Sequence, residues 1–215
     1  MTGSGHSKYY LAALLALIVL YTVANAVWLV LDTQPPHSDS VFYIQGSYEF
    51  YKRLQAEGVR GLAAIPDLVL NRPPMQSLVG AVVLPFVEWR PDGVVFVNAI
   101  WLSLAVWFTF LVGRKLAGPA CGFLAAVFLM TDPYVHAFLP HFETEIPLMA
   151  GTAACLWLAI RILEEGRRRD FAALGALVAT GLLFKWLFAV IVAGALAYTV
   201  FYLLRYGPLG GTRAG

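Results

Sequence analysis

The sequence predicts an all-α membrane protein of about six transmembrane helices, with a long extracytoplasmic first loop that carries surface helices. Three observations lead there. Of the 215 residues, 60% are hydrophobic and only 13% charged, where a typical soluble domain is about a quarter charged. Uncharged apolar runs recur that are long enough to cross a hydrocarbon core of about 30 Å. Lys and Arg gather in the short connections between these runs, while Asp and Glu collect in two other segments. The same composition excludes disorder, a collagen-like repeat and a disulfide scaffold. A net charge of +2 offers no broad basic face for nucleic acid. Cys121 and Cys155 both lie in apolar runs, with neither metal-motif spacing nor an obvious extracellular partner.

Tyr9 to Leu31 is the first span, uncharged between Lys8 and Asp32 and about 34 Å long as a helix. Ala24-Asn25-Ala26 has the form of a signal-peptide cleavage site, but the apolar run continues through Trp28 to Leu31, so a retained anchor is the expectation. The outer loop 32–93 follows. Within it Ser40 to Glu57 interleaves Phe42, Tyr43, Phe50 and Tyr51 with Glu49, Lys52 and Arg53, which predicts a helix on the membrane surface. Met75 to Val87 is apolar but too short to cross and contains Pro85, as a surface or re-entrant helix would. Spans are expected near 94–112, 116–131 and 148–162, with a second outer loop over 131–147. Phe171 to Leu204 as one helix would reach about 51 Å, so two helices, 171–184 and 186–204, should meet at Lys185. Residues 206–215 read as a flexible tail.

With the N-terminus in the cytoplasm, Lys8, Arg114, Lys115, Arg161, Arg167, Arg168, Arg169 and Arg205 fall on the inner side, as the positive-inside rule requires. Asp39, Glu143 and Glu145 then face outward, and the chemistry is expected there. Asp39 follows Pro35-Pro36-His37-Ser38 at the start of the surface helix. It reads equally as an N-cap and as a carboxylate held at the membrane surface to take a proton from a hydroxyl or amine. Glu145, where the fourth span starts, is favoured by the helix dipole and also makes a two-acid site geometrically accessible. His136 and His141 stand nearby as metal ligands of last resort, because no ligand spacing repeats elsewhere. Lys185, alone in its apolar stretch, would cost about 2.5–3.5 kcal/mol at a bilayer centre. It either snorkels or meets a lipid phosphate. Arg72, before Pro73-Pro74, is a solvated loop residue or a second cation.

The order of the pieces resembles a known family. Asp39 to Tyr43 forms D-x-x-x-Y, followed by Arg72-Pro73-Pro74 and by a span ending Gly113-Arg114-Lys115-Leu116. Thr144-Glu145-Ile146-Pro147-Leu148 and a Gly-rich helix reaching Leu183-Phe184-Lys185-Trp186 come after. Together they are similar to the amino-terminal half of a GT-C glycosyltransferase, in the protein O-mannosyltransferase and lipid A aminoarabinose transferase group. The resemblance implies a cell-envelope mannosyltransferase-like enzyme taking a polyprenyl-phosphate-linked sugar to a lipid, glycan or protein acceptor outside the membrane. It implies Asp39 as the catalytic base, Glu145 as the second-loop acid (usually Asp in these relatives), and Arg72 and Lys185 against the donor phosphate. Tyr43, Glu143 and His141 complete the expected binding set. No cofactor is assigned, a divalent metal being left open, and a bacterial inner membrane is the expected location.

These relatives run to well over twice this length, so the chain is expected to be a fragment, a half that needs a partner subunit, or a reduced homologue. Two other readings compete. A small transporter or channel subunit would line its spans with polar residues, but the first three carry only scattered Asn25, Asn98, Ser103 and Thr109, without an internal repeat. A non-catalytic lipid-binding assembly partner fits the short length. The catalytic reading requires Asp39, Glu145 and Lys185 to converge at the outer leaflet.

Overall fold

The computed structural model describes residues 4–36, 38–64, 72–87, 90 and 93–207. Of the acids in the expected outer loop 32–93, Asp67, Glu88 and Asp92 lie outside them, as does the tail from residue 208 onward. Nine α-helices are present among the described residues: α1 Ser4–Leu31, α2 Ser38–Glu57, α3 Met75–Val87, α4 Val97–Ala117, α5 Pro119–Thr131, α6 Pro133–Phe138, α7 Glu145–Glu165, α8 Arg168–Phe184 and α9 Phe188–Tyr206. Two 3-10 helices, Gly58–Ala64 and Gly93–Phe96, complete the set, and the described residues contain no strand.

Among the described residues four segments are long and apolar enough to cross a membrane: Lys8–Leu31, Gly93–Ala117, Glu145–Glu165 and Phe188–Tyr206. The fold is thus that of an all-α membrane protein. The helix α5 has 13 residues and α8 has 17, about 20 and 26 Å at 1.5 Å per residue, shorter than the hydrocarbon core. The loop expected over 131–147 contains α6, whose first turn is capped by the Asp132 carboxylate accepting from the Tyr134 N–H at 2.7 Å. Span four starts three residues earlier than its apolar run, so Glu145 is the first helical residue of α7. Helix α9 continues through Tyr206, the first residue assigned to the tail.

Three apolar clusters hold these helices. Leu14, Leu102, Val106, Phe110, Ala126 and Met130 join α1, α4 and α5. Leu29, Tyr43, Ile44, Leu84, Val94 and Phe142 seat α2 and α3 on the end of the bundle where α1 finishes. Leu148, Cys155, Ile162, Leu174, Phe184 and Phe188 join α7, α8 and α9. Arg90 ties the segment between α3 and α4 to the end of α1 by donating to the carbonyls of Val30 at 3.0 Å and Asp32 at 3.1 Å, where the helix leaves acceptors unused. The charged pairs separate to opposite ends of α7. Lys115–Glu164 at 2.9 Å and Arg161–Asp170 at 3.2 Å lie at its C-terminal end. Glu145 lies at its N-terminus, about 30 Å away along 21 residues.

Candidate functional site

Asp39 stands in the first turn of α2, and its Oδ1 accepts from Arg72 Nη2 at 2.9 Å. Pro73-Pro74 fix the backbone after Arg72 in an extended approach to α3, which delivers the guanidinium across from α2. There it lies 4.7 Å above the Phe42 ring centroid and 5.5 Å from that of Tyr43, a cation over two aromatic faces. The Asp39 hydrogen bond raises the Arg72 pKa above its ordinary value, with desolvation opposing.

Tyr43 is buried because α2 and α3 approach closely on small residues. A Cβ on Gly80 would fall 2.0 Å from Ser47 Oγ and 3.0 Å from the Phe142 ring. The Ser47 and Ser77 hydroxyls both donate to the Tyr43 carbonyl, at 2.7 and 3.3 Å, the second tying α3 to the backbone that carries the phenol. Burial raises the Tyr43 pKa, against the pull of Arg72 and Lys185, so the phenol is a protonated donor at neutral pH. The charges of Arg72, Lys185 and Asp39 all reach it.

The second half of the site forms where the long C-terminal apolar stretch breaks. Helix α8 ends at Phe184, Lys185 is extended (φ −162°, ψ 130°), and α9 starts at Phe188. No Pro or Asn-Gly marks this break; a glycine slot creates it. The fully buried Phe188 ring enters between Gly181 of α8 and Gly151 of α7, where Cβ atoms would come within 2.1 and 3.2 Å of it. The turn so fixed aims Lys185 at the start of α7, and its Nζ lies 2.6 Å from Glu145 Oε1. An ammonium that would be costly in hydrocarbon is thereby paired.

A groove of about 460 Å³ opens from this pair. Glu145, Lys185, Tyr134 and Thr152 give it polar points, and Leu129, Leu148, Met149, Leu156, Leu187 and Ile191 give it apolar walls. Asp39, Arg72, Tyr43, Glu143 and His141 do not line it. The expected residues therefore form two ion pairs, Asp39–Arg72 and Glu145–Lys185, with Tyr43 within the field of both.

The segment between α6 and α7 connects the halves. Glu143 accepts from Ser40 Oγ at 3.5 Å, which joins it to α2. His141 contributes its carbonyl, which accepts from Asn98 Nδ2 at 2.7 Å, while the Leu139 carbonyl accepts from the same nitrogen at 2.9 Å. His136 faces away, its ring 2.8 Å from the Tyr21 hydroxyl. Among the described residues no three His, Cys, Asp or Glu side chains gather as a metal site.

Two contributors escaped the sequence reading. Asn98 was visible only as a scattered polar residue; fully buried in α4, it holds the backbone that leads to Glu145. Tyr134 gave no signal beyond its aromatic ring, yet it lines the groove and interacts electrostatically with Lys185.

Comparison with known proteins gives a family match. The family model described as dolichyl-phosphate-mannose-protein mannosyltransferase covers residues 71–206, more than half of the chain. It takes in Arg72, Glu143, Glu145 and Lys185 and leaves Asp39 and Tyr43 outside. No curated protein and no solved structure matches the chain.

Proposed function

The chain belongs to the dolichyl-phosphate-mannose-protein mannosyltransferase family, and we propose that within this membrane glycosyltransferase class it moves a sugar from a polyprenyl-phosphate donor to an extracytoplasmic acceptor. The observation that carries the reading is the groove: an ammonium–carboxylate pair at its head and apolar walls below. Its lining residues on α7 run from Glu145 to Leu156, about 16 Å of helix. Isoprene units nearest the phosphate fit those walls, and the phosphate comes to Lys185. Arg72 is the second cation for the same group; the Tyr43 phenol feels its charge and that of Lys185.

The residues divide the work as the chemistry demands. A phosphate leaves readily if its developing charge is met, so fixed cations matter more than a general acid. The acceptor hydroxyl needs a base and orientation. Asp39 takes the hydroxyl proton as the acceptor oxygen bonds to the anomeric carbon. The bond from that carbon to the phosphate oxygen breaks with its electron pair, and polyprenyl phosphate departs. One such displacement inverts the anomeric configuration. Glu145 orients the incoming group or holds Lys185 in place. The N-terminus is cytoplasmic in this scheme, which puts both acids on the outer side.

The test is transfer from a labelled polyprenyl-phosphate sugar in membranes, with and without the products of neighbouring genes. Asp39→Asn reduces transfer by about 10²–10⁴-fold, the usual contribution of proton-transfer catalysis, and Glu145→Gln reduces it by disturbing orientation or the placing of Lys185, both at unchanged membrane levels. Full activity in both variants would remove the catalytic assignment.

A further inference from the structure

Each cation assigned to the donor phosphate is already held by a carboxylate. Arg72 holds Asp39 at 2.9 Å and Lys185 holds Glu145 at 2.6 Å, each through one oxygen. The first pair is open: side-chain exposure is 35% for Arg72 and 52% for Asp39. Exposed pairs of this kind contribute little net stability, so the contact yields to a better anion. The second is tighter, with Glu145 only 16% exposed. Arg72 has further support, since its guanidinium rests on the Phe42 and Tyr43 rings. It keeps its place while its anionic partner changes.

Resting on the donor reading above, we propose that Asp39 and Glu145 are resident counter-ions of the phosphate subsite, displaced from Arg72 and Lys185 when a lipid phosphate enters. While Arg72 donates to Asp39 Oδ1, that oxygen is engaged and not turned to an acceptor hydroxyl. Seating the phosphate transfers both cations to the new anion and releases Asp39 to accept a proton. The base becomes active only with the donor in place, so donor binding precedes productive acceptor binding. Tyr43, within the field of Arg72, Lys185 and Asp39, sits where the exchange occurs, and its phenol can donate to whichever anion is present.

The exchange predicts a result that a purely catalytic role for the acids does not: removing a carboxylate charge strengthens phosphate binding. The probe is a sugar-free polyprenyl phosphate, titrated into the full chain in lipid nanodiscs, with the unphosphorylated polyprenol as its control. Asp39→Asn tightens binding of the phosphate by about 2- to 5-fold, in keeping with the strength of an exposed pair. Glu145→Gln tightens it by about as much or more, because Glu145 is the more buried of the two carboxylates. Polyprenol binding is unchanged in both. In an Arg72→Gln background, Asp39→Asn loses its effect, and thermal melting of every variant monitors folding. Wild-type binding with unchanged or weakened affinity in Asp39→Asn and Glu145→Gln would overturn the exchange and leave the donor reading intact. Failure of the folded wild type to bind polyprenyl phosphate would overturn both.

Discussion

A single methyl group added at two positions of α8 should have opposite effects, and the contrast tests how the site is built. Gly175 has nothing within 4 Å of where a Cβ would stand. Replacing it with Ala removes only the entropic weakness of glycine in a helix, a gain of about 0.5–1 kcal/mol. At Gly181 the same methyl would lie 2.1 Å from Cδ1 and 2.7 Å from Cγ of Phe188. That ring is fully buried and has Gly151 of α7 on its other side, so it has no free direction in which to retreat. Overpacking of this kind costs about 1–3 kcal/mol. Subtracting the helix-propensity gain of about 0.5–1 kcal/mol from that cost leaves a net loss of up to about 2.5 kcal/mol. For a chain of this size each kcal/mol shifts Tm by about 2–4 °C. Thermal unfolding in one detergent should place Gly175→Ala above the wild type and Gly181→Ala below it by several degrees. Trimming the ring in Gly181→Ala/Phe188→Leu should restore part of the loss. Because Phe188 fixes the turn that aims Lys185, Gly181→Ala should also weaken polyprenyl-phosphate binding. If Gly181→Ala is as stable as Gly175→Ala, the glycine slot does not determine the break and the account of Lys185 placement is wrong.

Two further outcomes follow from neighbouring contacts. Asn98→Leu strips the hydrogen bonds from the Leu139 and His141 carbonyls. At about 1–3 kcal/mol for each buried group left unpaired, it should destabilise the chain by about 2 kcal/mol or more, read as a fall in Tm, and loosen the approach to α7. Lys185→Ala removes a cation at the groove head while leaving the apolar walls. Affinity for polyprenyl phosphate should fall by about ten-fold or more, with polyprenol affinity unchanged; equal retention of both ligands would show that Lys185 only snorkels.

The membrane character, the helical class and the start of α2 near Ser38 or Asp39 could be read along the chain, because they depend on local properties. Uncharged length decides whether a helix can cross, and a proline pair followed by Ser and Asp decides where one begins. The break at Lys185 was legible for a related reason: an apolar stretch too long for the bilayer carries a single charge. Its cause was not legible, since Phe188 meets Gly151 only when α7 stands beside α8.

Pairing was decided by tertiary structure alone. Asp39 and Arg72 lie 33 positions apart, and Glu145 and Lys185 lie 40 apart. One-dimensional spacing carries no record of which acid meets which base across two helices. Burial of Asn98 and the placing of Glu145 and Lys185 in a groove without Asp39 are likewise consequences of how helices dock. Side-chain solvation along a helix is written into its own residues; electrostatic partnership between helices depends on distances that exist only once the chain has packed.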